Sequence, residues 1–325
     1  MKALVTGAAG FVGSRIARHL LDDGHDVLGV DALTPYYAEE LKSQNLSTLE
    51  APTFEFRRQD IVDADIEELL DGVDVVFHQA GQPGVRASWG EDFEIYTRNN
   101  ILATQRLLEG AAKSDALKKF VYASSSSIYG DAERFPTTEA DLPRPVSPYG
   151  VTKLAAEHLV SLYGTNFGVP TISLRYFTVY GPGQRPDMAF TRFVQAAVAE
   201  RRIRIFGTGE QIRDFTFVDD IVAANLLAGE ATNVSPGQVV NVSGGSKISV
   251  NEVLRILDDM VDHPLDVQYV ERARGDVFRT GGSSDRVREL LGWRSRVTIE
   301  EGLARQLDWA RDTVDVWGAL PENRA

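Results

Sequence analysis

"KALVTG" at residues 2–7 runs directly into "AAGFVG", so Gly7, Gly10 and Gly13 stand at three-residue spacing between a strand pattern and a helix pattern. Few other features narrow a fold so far. Small residues there let the backbone turn tightly and approach a group seated on the helix N-terminus. Val12, Ile16, Leu20 and Leu21 recur on one face of residues 11–23, so the segment after the glycines reads as an amphipathic helix. The next strand, "DVLGVD" (26–31), ends in Asp31, 18 residues past Gly13. A carboxylate there takes both ribose hydroxyls of NAD and repels the 2′-phosphate of NADP. The array therefore predicts NAD, with Gly7, Gly10, Phe11, Val12 and Gly13 around its pyrophosphate. "RQDI" adds Asp60 and Ile61 after the third strand, where an adenine edge would be read.

Further β-branched and apolar runs follow at 54–60, 74–80, 119–124 and 171–177, with helical stretches at 93–113 and 149–165. Strands separated by helices imply βαβ units and a parallel sheet with helices on both faces. The expected fold is α/β, a Rossmann-type doubly wound parallel sheet with a smaller C-terminal substrate-binding domain. After 177 the rhythm changes: helical 189–201, a short strand at 202–207, the stretch 213–229, then more loops. The expected boundary lies near 177. Residues 1–177 would form the NAD-binding domain, with a segment of about 213–245 returning to it, and 178–325 would mainly bind substrate.

Composition removes several function classes. There is no cysteine, which excludes structural disulfides, Cys-ligated zinc and thiol catalysis. The five histidines have no metal-ligand spacing, and no metal is expected. No apolar run approaches the ~20 residues of a membrane span, and the N-terminus lacks a signal-peptide pattern. A cytoplasmic protein is expected. The net charge is −13, without a basic cluster to track a phosphate backbone, so neither nucleic acid nor membrane is an expected partner.

"SPYGVTK" carries Tyr149 and Lys153, four residues apart and so on one face of a helix. A free tyrosine, with a pKa of ~10, is a poor base at neutral pH. A neighbouring ammonium and a positive nicotinamide favour the phenolate, which suits hydride-transfer chemistry. Upstream, "ASSSSIYG" (123–130) sets four serines before an isoleucine and a tyrosine. Such runs are ordinarily solvated loop, so context decides.

The glycine array, "HQAGQ" (78–82), "SSSSIYG" and Tyr149/Lys153 together resemble the extended short-chain dehydrogenase/reductase family, and within it the nucleotide-sugar epimerases and dehydratases. The similarity runs from residue 1 to about residue 310, with the motifs in the family's order. It implies that Ala80, Gly81, Gln82, Asn100 and Tyr176 join Tyr149 and Lys153 beside the cofactor. It also implies that Ser125, four positions before Tyr129, hydrogen-bonds the sugar hydroxyl that is oxidised. Ser126 and Ser127 stand where sugar dehydratases resemble Asp-Glu and where decarboxylases often carry a Glu. Neither serine can protonate a leaving hydroxyl or remove a carbon-bound proton. Redox-neutral inversion at C4 remains: oxidation, rotation of the 4-keto sugar, and re-reduction from the other face.

"RYFTVYGPGQRPDMAF" (175–190), "GQPGVRASWG" (81–90) and "PYYAEELK" (35–42) are similar to the UDP-glucuronic acid 4-epimerases, while galactose-type enzymes usually have Asn at the place of Thr178. A C6 carboxylate wants several donors: hydroxyls of Ser126, Ser127 and Thr178, with Arg86 and Arg185 as charge partners beside Pro83. Oxidising C4 of glucuronate makes a β-keto acid, so pinning that carboxylate also guards against loss of CO₂. "FGTGEQIRDFTFVDD" (206–220) resembles the nucleotide-contacting segment, making Arg213 the diphosphate candidate with Arg192 at the same end. "ERARGD" (271–276) departs by one residue from the family's usual Arg-Pro-Gly-Asp, and Arg274 or Arg272 is a further phosphate candidate. The expected reaction is interconversion of UDP-glucuronate and UDP-galacturonate, with a neutral UDP-hexose (UDP-glucose or UDP-N-acetylglucosamine) as the alternative. Apolar faces at 93–113 and 149–165 would, by the same resemblance, pair into the four-helix interface of a homodimer.

Overall fold

The structure, a computed structural model, describes residues 1–271 and 279–313. Twelve strands run along the described residues: β1 Lys2–Thr6, β2 Asp26–Asp31, β3 Phe54–Arg58, β4 Val75–His78, β5 Lys119–Ser125, β6 Thr171–Tyr176, β7 Thr178–Tyr180, β8 Ile203–Phe206, β9 Ile212–Phe217, β10 Gln238–Val242, β11 Ser246–Ser249 and β12 Val267–Val270. Seven of them form one sheet in the order β3-β2-β1-β4-β5-β6-β10, with every neighbouring pair parallel. The order reverses between β1 and β4. In open α/β sheets ligands bind at such a switch point, outside the carboxyl ends of the strands.

The strands read as continuous apolar runs because both faces are covered. In β1, Ala3 and Val5 join a cluster with Ile16, Leu20 and Val222, while Leu4 joins the opposite cluster with Leu107 and Val160. Each fully buried aliphatic side chain contributes about 1.5–3 kcal/mol. Helix Val218–Glu230 packs against β4 and β5, and β10 extends the same sheet beside β6. A third cluster gathers Phe190, Phe193, Phe215, Phe217, Leu254 and Leu303 around β9 and helices Ala189–Val198, Val250–Asp258 and Ile299–Asp312. It carries two small sheets, β11-β9-β7 and β12-β8. Among the described residues no helix is long and apolar enough to cross a membrane.

One expected element differs. The helical stretch 93–113 is not a single α-helix: it runs as Phe93–Tyr96, then a wide π-helical segment Thr97–Leu102, then Ala103–Ala111. Wider turns of this kind concentrate at functional sites. This one carries Asn100, whose side chain is tied to two distant segments described below. Several strands also end earlier than their apolar runs suggest, β3 at Arg58 and β4 at His78, because the following residues turn into the cleft.

Candidate active site

A cleft of about 1050 Å³ opens at the carboxyl ends of β1 and β4 and continues between the sheet and the third cluster. All of the residues predicted for the site line it except Arg274, which, like Arg272, lies outside the described residues.

At the sheet end, Gly7 adopts φ +69°, and a Cβ on Gly13 would land on the Gly7 carbonyl oxygen. Gly10 N–H closes the turn onto that carbonyl at 2.9 Å. Helix Phe11–Asp22 starts at Gly10 with no side-chain cap. The N–H groups of Phe11, Val12 and Gly13 therefore face the cleft end of the helix without intrahelical acceptors, the arrangement that suits a phosphate. Asp31 accepts from the backbone N–H of Ala9 at 3.1 Å and of Leu33 at 2.8 Å, which fixes its carboxylate at the tip of β2. Asp60 accepts from Val62 N–H at 2.8 Å and pairs with Arg98 at 3.2 Å, and Ile61 beside it is buried. This end fits a dinucleotide with free ribose hydroxyls.

A buried chain of hydrogen bonds joins that end to helix Pro148–Phe167. Asn100 accepts from Gln82 N–H at 2.7 Å, and its amide donates to the Gln82 carbonyl at 3.1 Å and to Thr152 Oγ1 at 3.0 Å. A Cβ on Gly81 would meet the Asn100 amide oxygen at 2.9 Å, which is why the loop needs glycine there. Thr104 donates to the Asn100 carbonyl at 2.7 Å, so His78 Nε2, 2.9 Å away, must be the donor to Thr104. His78 Nδ1 then accepts from Thr6 at 2.8 Å, and the Thr6 oxygen accepts from Ala80 N–H at 3.1 Å. Burial, with the Lys153 charge adding to it, pushes His78 down to about 3, consistent with a neutral ring in this one tautomer. Tyr176 closes the far wall, donating to Gln79 at 3.0 Å and accepting from Asn225 at 2.7 Å.

Helix Pro148–Phe167 begins with Ser147, whose hydroxyl accepts from Gly150 N–H at 3.1 Å, and with Pro148 in the first turn. That start fixes where Tyr149 projects. Gly150 touches the serine turn so closely that a Cβ would stand 2.6 Å from the Ser127 carbonyl oxygen. Helix and serines thereby meet, and Ser125 stands beside the Tyr149 phenol where its hydroxyl favours the charged form. Burial raises the Tyr149 pKa; the Ser125 hydrogen bond and the charge of Arg185 oppose it. Lys153, one turn on, is buried, donates to the Ala123 carbonyl at 2.5 Å and lies 4.4 Å from the centre of the Tyr122 ring. Burial lowers its pKa to about 7. The charge of Arg185 favours the phenolate here.

Beyond the phenol, Ser126, Ser127 and Thr178 line the cleft. Arg185 makes two 2.9 Å bonds to the Asp187 carboxylate, and the Tyr36 hydroxyl donates to the same group at 3.4 Å. Pro83 bends into the wall where its carbonyl accepts from Tyr96 at 2.9 Å. At the outer end Arg86 stacks 4.6 Å from the Phe206 ring centre. Burial and the charges of Arg86 and Arg204 all lower the Arg192 pKa, so three guanidiniums share that wall with Arg213 nearby. Tyr36, Asp187, Arg204 and Phe206 escaped the sequence reading. The first two sit inside stretches already singled out, "PYYAEELK" and "RPDMAF", and only folding brings them together.

Comparison with known proteins bears on this geometry. The profile of the NAD dependent epimerase/dehydratase family matches residues 3–243. A UDP-glucuronic acid 4-epimerase from Bacillus cereus, solved in complex with UDP-glucuronic acid and NAD, superposes with a TM-score of 0.93 at 39% identity, covering 96% of this chain and 99% of that one. The UDP-glucuronate 4-epimerase of Thermodesulfobacterium geofontis is 37% identical over 96% of this chain and 97% of its own length. The UDP-glucose 4-epimerase of Mycolicibacterium smegmatis is also 37% identical, over 96% and 99%. The chain belongs to the NAD dependent epimerase/dehydratase family.

Proposed function

We propose that this chain is an NAD-dependent UDP-sugar 4-epimerase that interconverts UDP-glucuronate and UDP-galacturonate. The observation that carries the reading is the Ser125–Tyr149 pair facing Ser126, Ser127, Thr178 and Arg185 in one cleft: a proton acceptor beside a wall of carboxylate donors. Supporting it are the likeness to UDP-glucuronic acid 4-epimerases in fold and over nearly the whole sequence. The equal identity to a UDP-glucose 4-epimerase favours a neutral UDP-hexose as the second reading.

In this mechanism Tyr149 receives the C4 hydroxyl proton and later returns it, with Ser125 aligning the hydroxyl. Lys153 holds the cofactor's ribose, Asp31 its adenosine ribose, and the first turn after Gly10 its pyrophosphate. When bound, NAD supplies a hydride acceptor at C4 and a donor to the opposite face of the rotated sugar. The hydroxyls and Arg185 restrain the C6 carboxylate, and Ser126 and Ser127 leave no acid or base for elimination. Arg86, Arg192, Arg204 and Arg213 hold the diphosphate while the sugar turns. Residues 1–177 with about 213–245 serve the cofactor, and the remainder mainly serves the nucleotide sugar. The working unit is a homodimer formed through the helical stretches 93–113 and 149–165, located in the cytoplasm.

Proton NMR of the purified protein with UDP-glucuronate and, separately, UDP-glucose tests the substrate. UDP-galacturonate from the first tube alone is expected. UDP-galactose from the second tube alone would replace this reading with the hexose one.

A further inference from the structure

Two consecutive turns of helix Pro148–Phe167 grip two consecutive residues of β5. Lys153 donates to the Ala123 carbonyl at 2.5 Å, and Glu157 accepts from the Ser124 hydroxyl at 2.6 Å. The next residue is Ser125. Glu157 is 2% exposed and Lys153 6%, and at a separation of four they share one helix face. Glu157 also accepts from Arg175 of β6, at 2.9 Å from Nε and 2.7 Å from a terminal nitrogen. Arg175 reaches on to the Tyr129 hydroxyl at 2.5 Å, and Tyr129 to Asn241 at 2.8 Å. None of these groups faces solvent. An ionised carboxylate and guanidinium are costly to bury unless the arrangement serves something.

We infer that Glu157, locked in place by Ser124 and Arg175, is the counter-charge of Lys153 and a positioning residue for the reaction. The inference rests on the proposal that Lys153 works in the reaction as an ammonium. As an ammonium it carries three N–H donors, one spent on Ala123 and two left for the cofactor's ribose; a neutral amine would leave one fewer. Burial drives Lys153 toward the neutral form, and Glu157 is the group that opposes burial. The other titratable or charged groups around Lys153 are Tyr122 of β5, His78 of β4, Tyr149 on its own helix, and Arg175 of β6 behind Glu157. None of them is a carboxylate. His78 is held neutral, and Tyr122 offers only a ring face and a hydroxyl without a hydrogen-bond partner.

Lys153 is charged below its pKa and loses the charge as pH rises through it. Removing the Glu157 charge lowers that pKa, so the ammonium disappears at lower pH. A nearby carboxylate holds an ammonium's pKa up, and its loss lets the pKa fall.

The chain has only seven lysines, so the holoenzyme labelled with ¹³C at lysine Cε gives a countable spectrum, with Lys153→Met assigning the resonance. In Glu157→Gln the Lys153 titration midpoint should fall by about one unit or more. The limb of the kcat profile that Lys153 sets should move down with it. Ser124→Ala, which removes a hydrogen bond but no charge, should leave the midpoint in place, and Glu157→Asp should restore most of it. Should Glu157→Gln fail to fold around the unpaired Arg175, the double variant Glu157→Gln/Arg175→Gln is read against Arg175→Gln alone, because the Arg175 charge itself bears on Lys153, and the midpoint should fall between those two. An unchanged midpoint overturns the inference whatever the activity does. A lowered midpoint with an unmoved kcat profile upholds Glu157 as the counter-charge and removes Lys153 from the proposed mechanism, which separates the two failures.

Discussion

In the proposed mechanism Tyr149 has to be a base in a place that disfavours its charged form. Burial raises its pKa, and only the Ser125 hydrogen bond and Arg185 pull against that. Activity should therefore show a limb set by ionisation of the phenol. Ser125→Ala removes one of the two influences favouring phenolate, so the limb should move to higher pH and kcat at neutral pH should fall. Tyr149→Phe, which keeps the ring and loses the proton acceptor, should bind UDP-sugar normally and lose about 10²–10⁴-fold in kcat. Isothermal calorimetry beside the turnover assay checks both halves, and near-normal turnover by the phenylalanine variant would end the mechanism. Tyr149 and Lys153 were legible in the sequence because four-residue spacing on a helix has a direct geometric meaning. Asp187, Tyr36 and Glu157 were not. They are common residue types whose meaning comes from partners 151 positions away in one pair (Tyr36 and Asp187) and 33 in another (Glu157 and Ser124).

The element that sets the site is the start of helix Pro148–Phe167, where Ser147 caps, Pro148 fixes the first turn and Gly150 lets the backbone touch the Ser127 carbonyl. A methyl at 150 would stand 2.6 Å from that oxygen and 3.0 Å from Pro145 Cβ, so helix and serine turn must part. Gly150→Ala should thus separate Tyr149 from Ser125, lowering kcat more than it raises KM and costing about 1–3 kcal/mol of stability. Thermal melts and steady-state kinetics read both, and full kcat would show that the pair is positioned elsewhere. The strands of the main sheet could be read from the sequence because burial on both faces makes them uninterrupted apolar runs, as in "KALVT" and "VVFH". The break at Thr97–Leu102 could not be read. Asn100 and Thr104 point inward there, toward Gln82 and His78, and an amphipathic period registers neither bond. The serine run was ambiguous for the opposite reason. Its local chemistry is that of a loop, and only the helix that packs on it makes it a site.

At the scale of the molecule, one helix faces two ways. Its inner side buries Thr152, Lys153, Ala156 and Val160, while Val151 and Leu162 on the outer side are 47% and 53% exposed, with Phe167 at 68% past them. Leu102, on the neighbouring segment, is 44% exposed. Apolar residues scattered singly on a surface are ordinary, but Val151 and Leu162 share one face of the longer helix and, with Leu102 on the adjacent segment, form an exposed stripe. A second copy presenting the same stripe would cover all of them at once, as a two-fold interface requires. The consequence would reach the site, because the helix that such a dimer would bury is the one that carries Tyr149, Lys153 and Glu157. Sedimentation velocity at micromolar concentration should give two chains per particle. Leu162→Glu combined with Val151→Glu should give one, with a lower Tm and a reduced kcat, since the outer support of the catalytic helix is gone. A wild-type protein that sediments as a single chain would remove the dimer and leave the stripe as plain surface. A charged variant that dissociates yet keeps full kcat would retain the dimer and sever its link to catalysis.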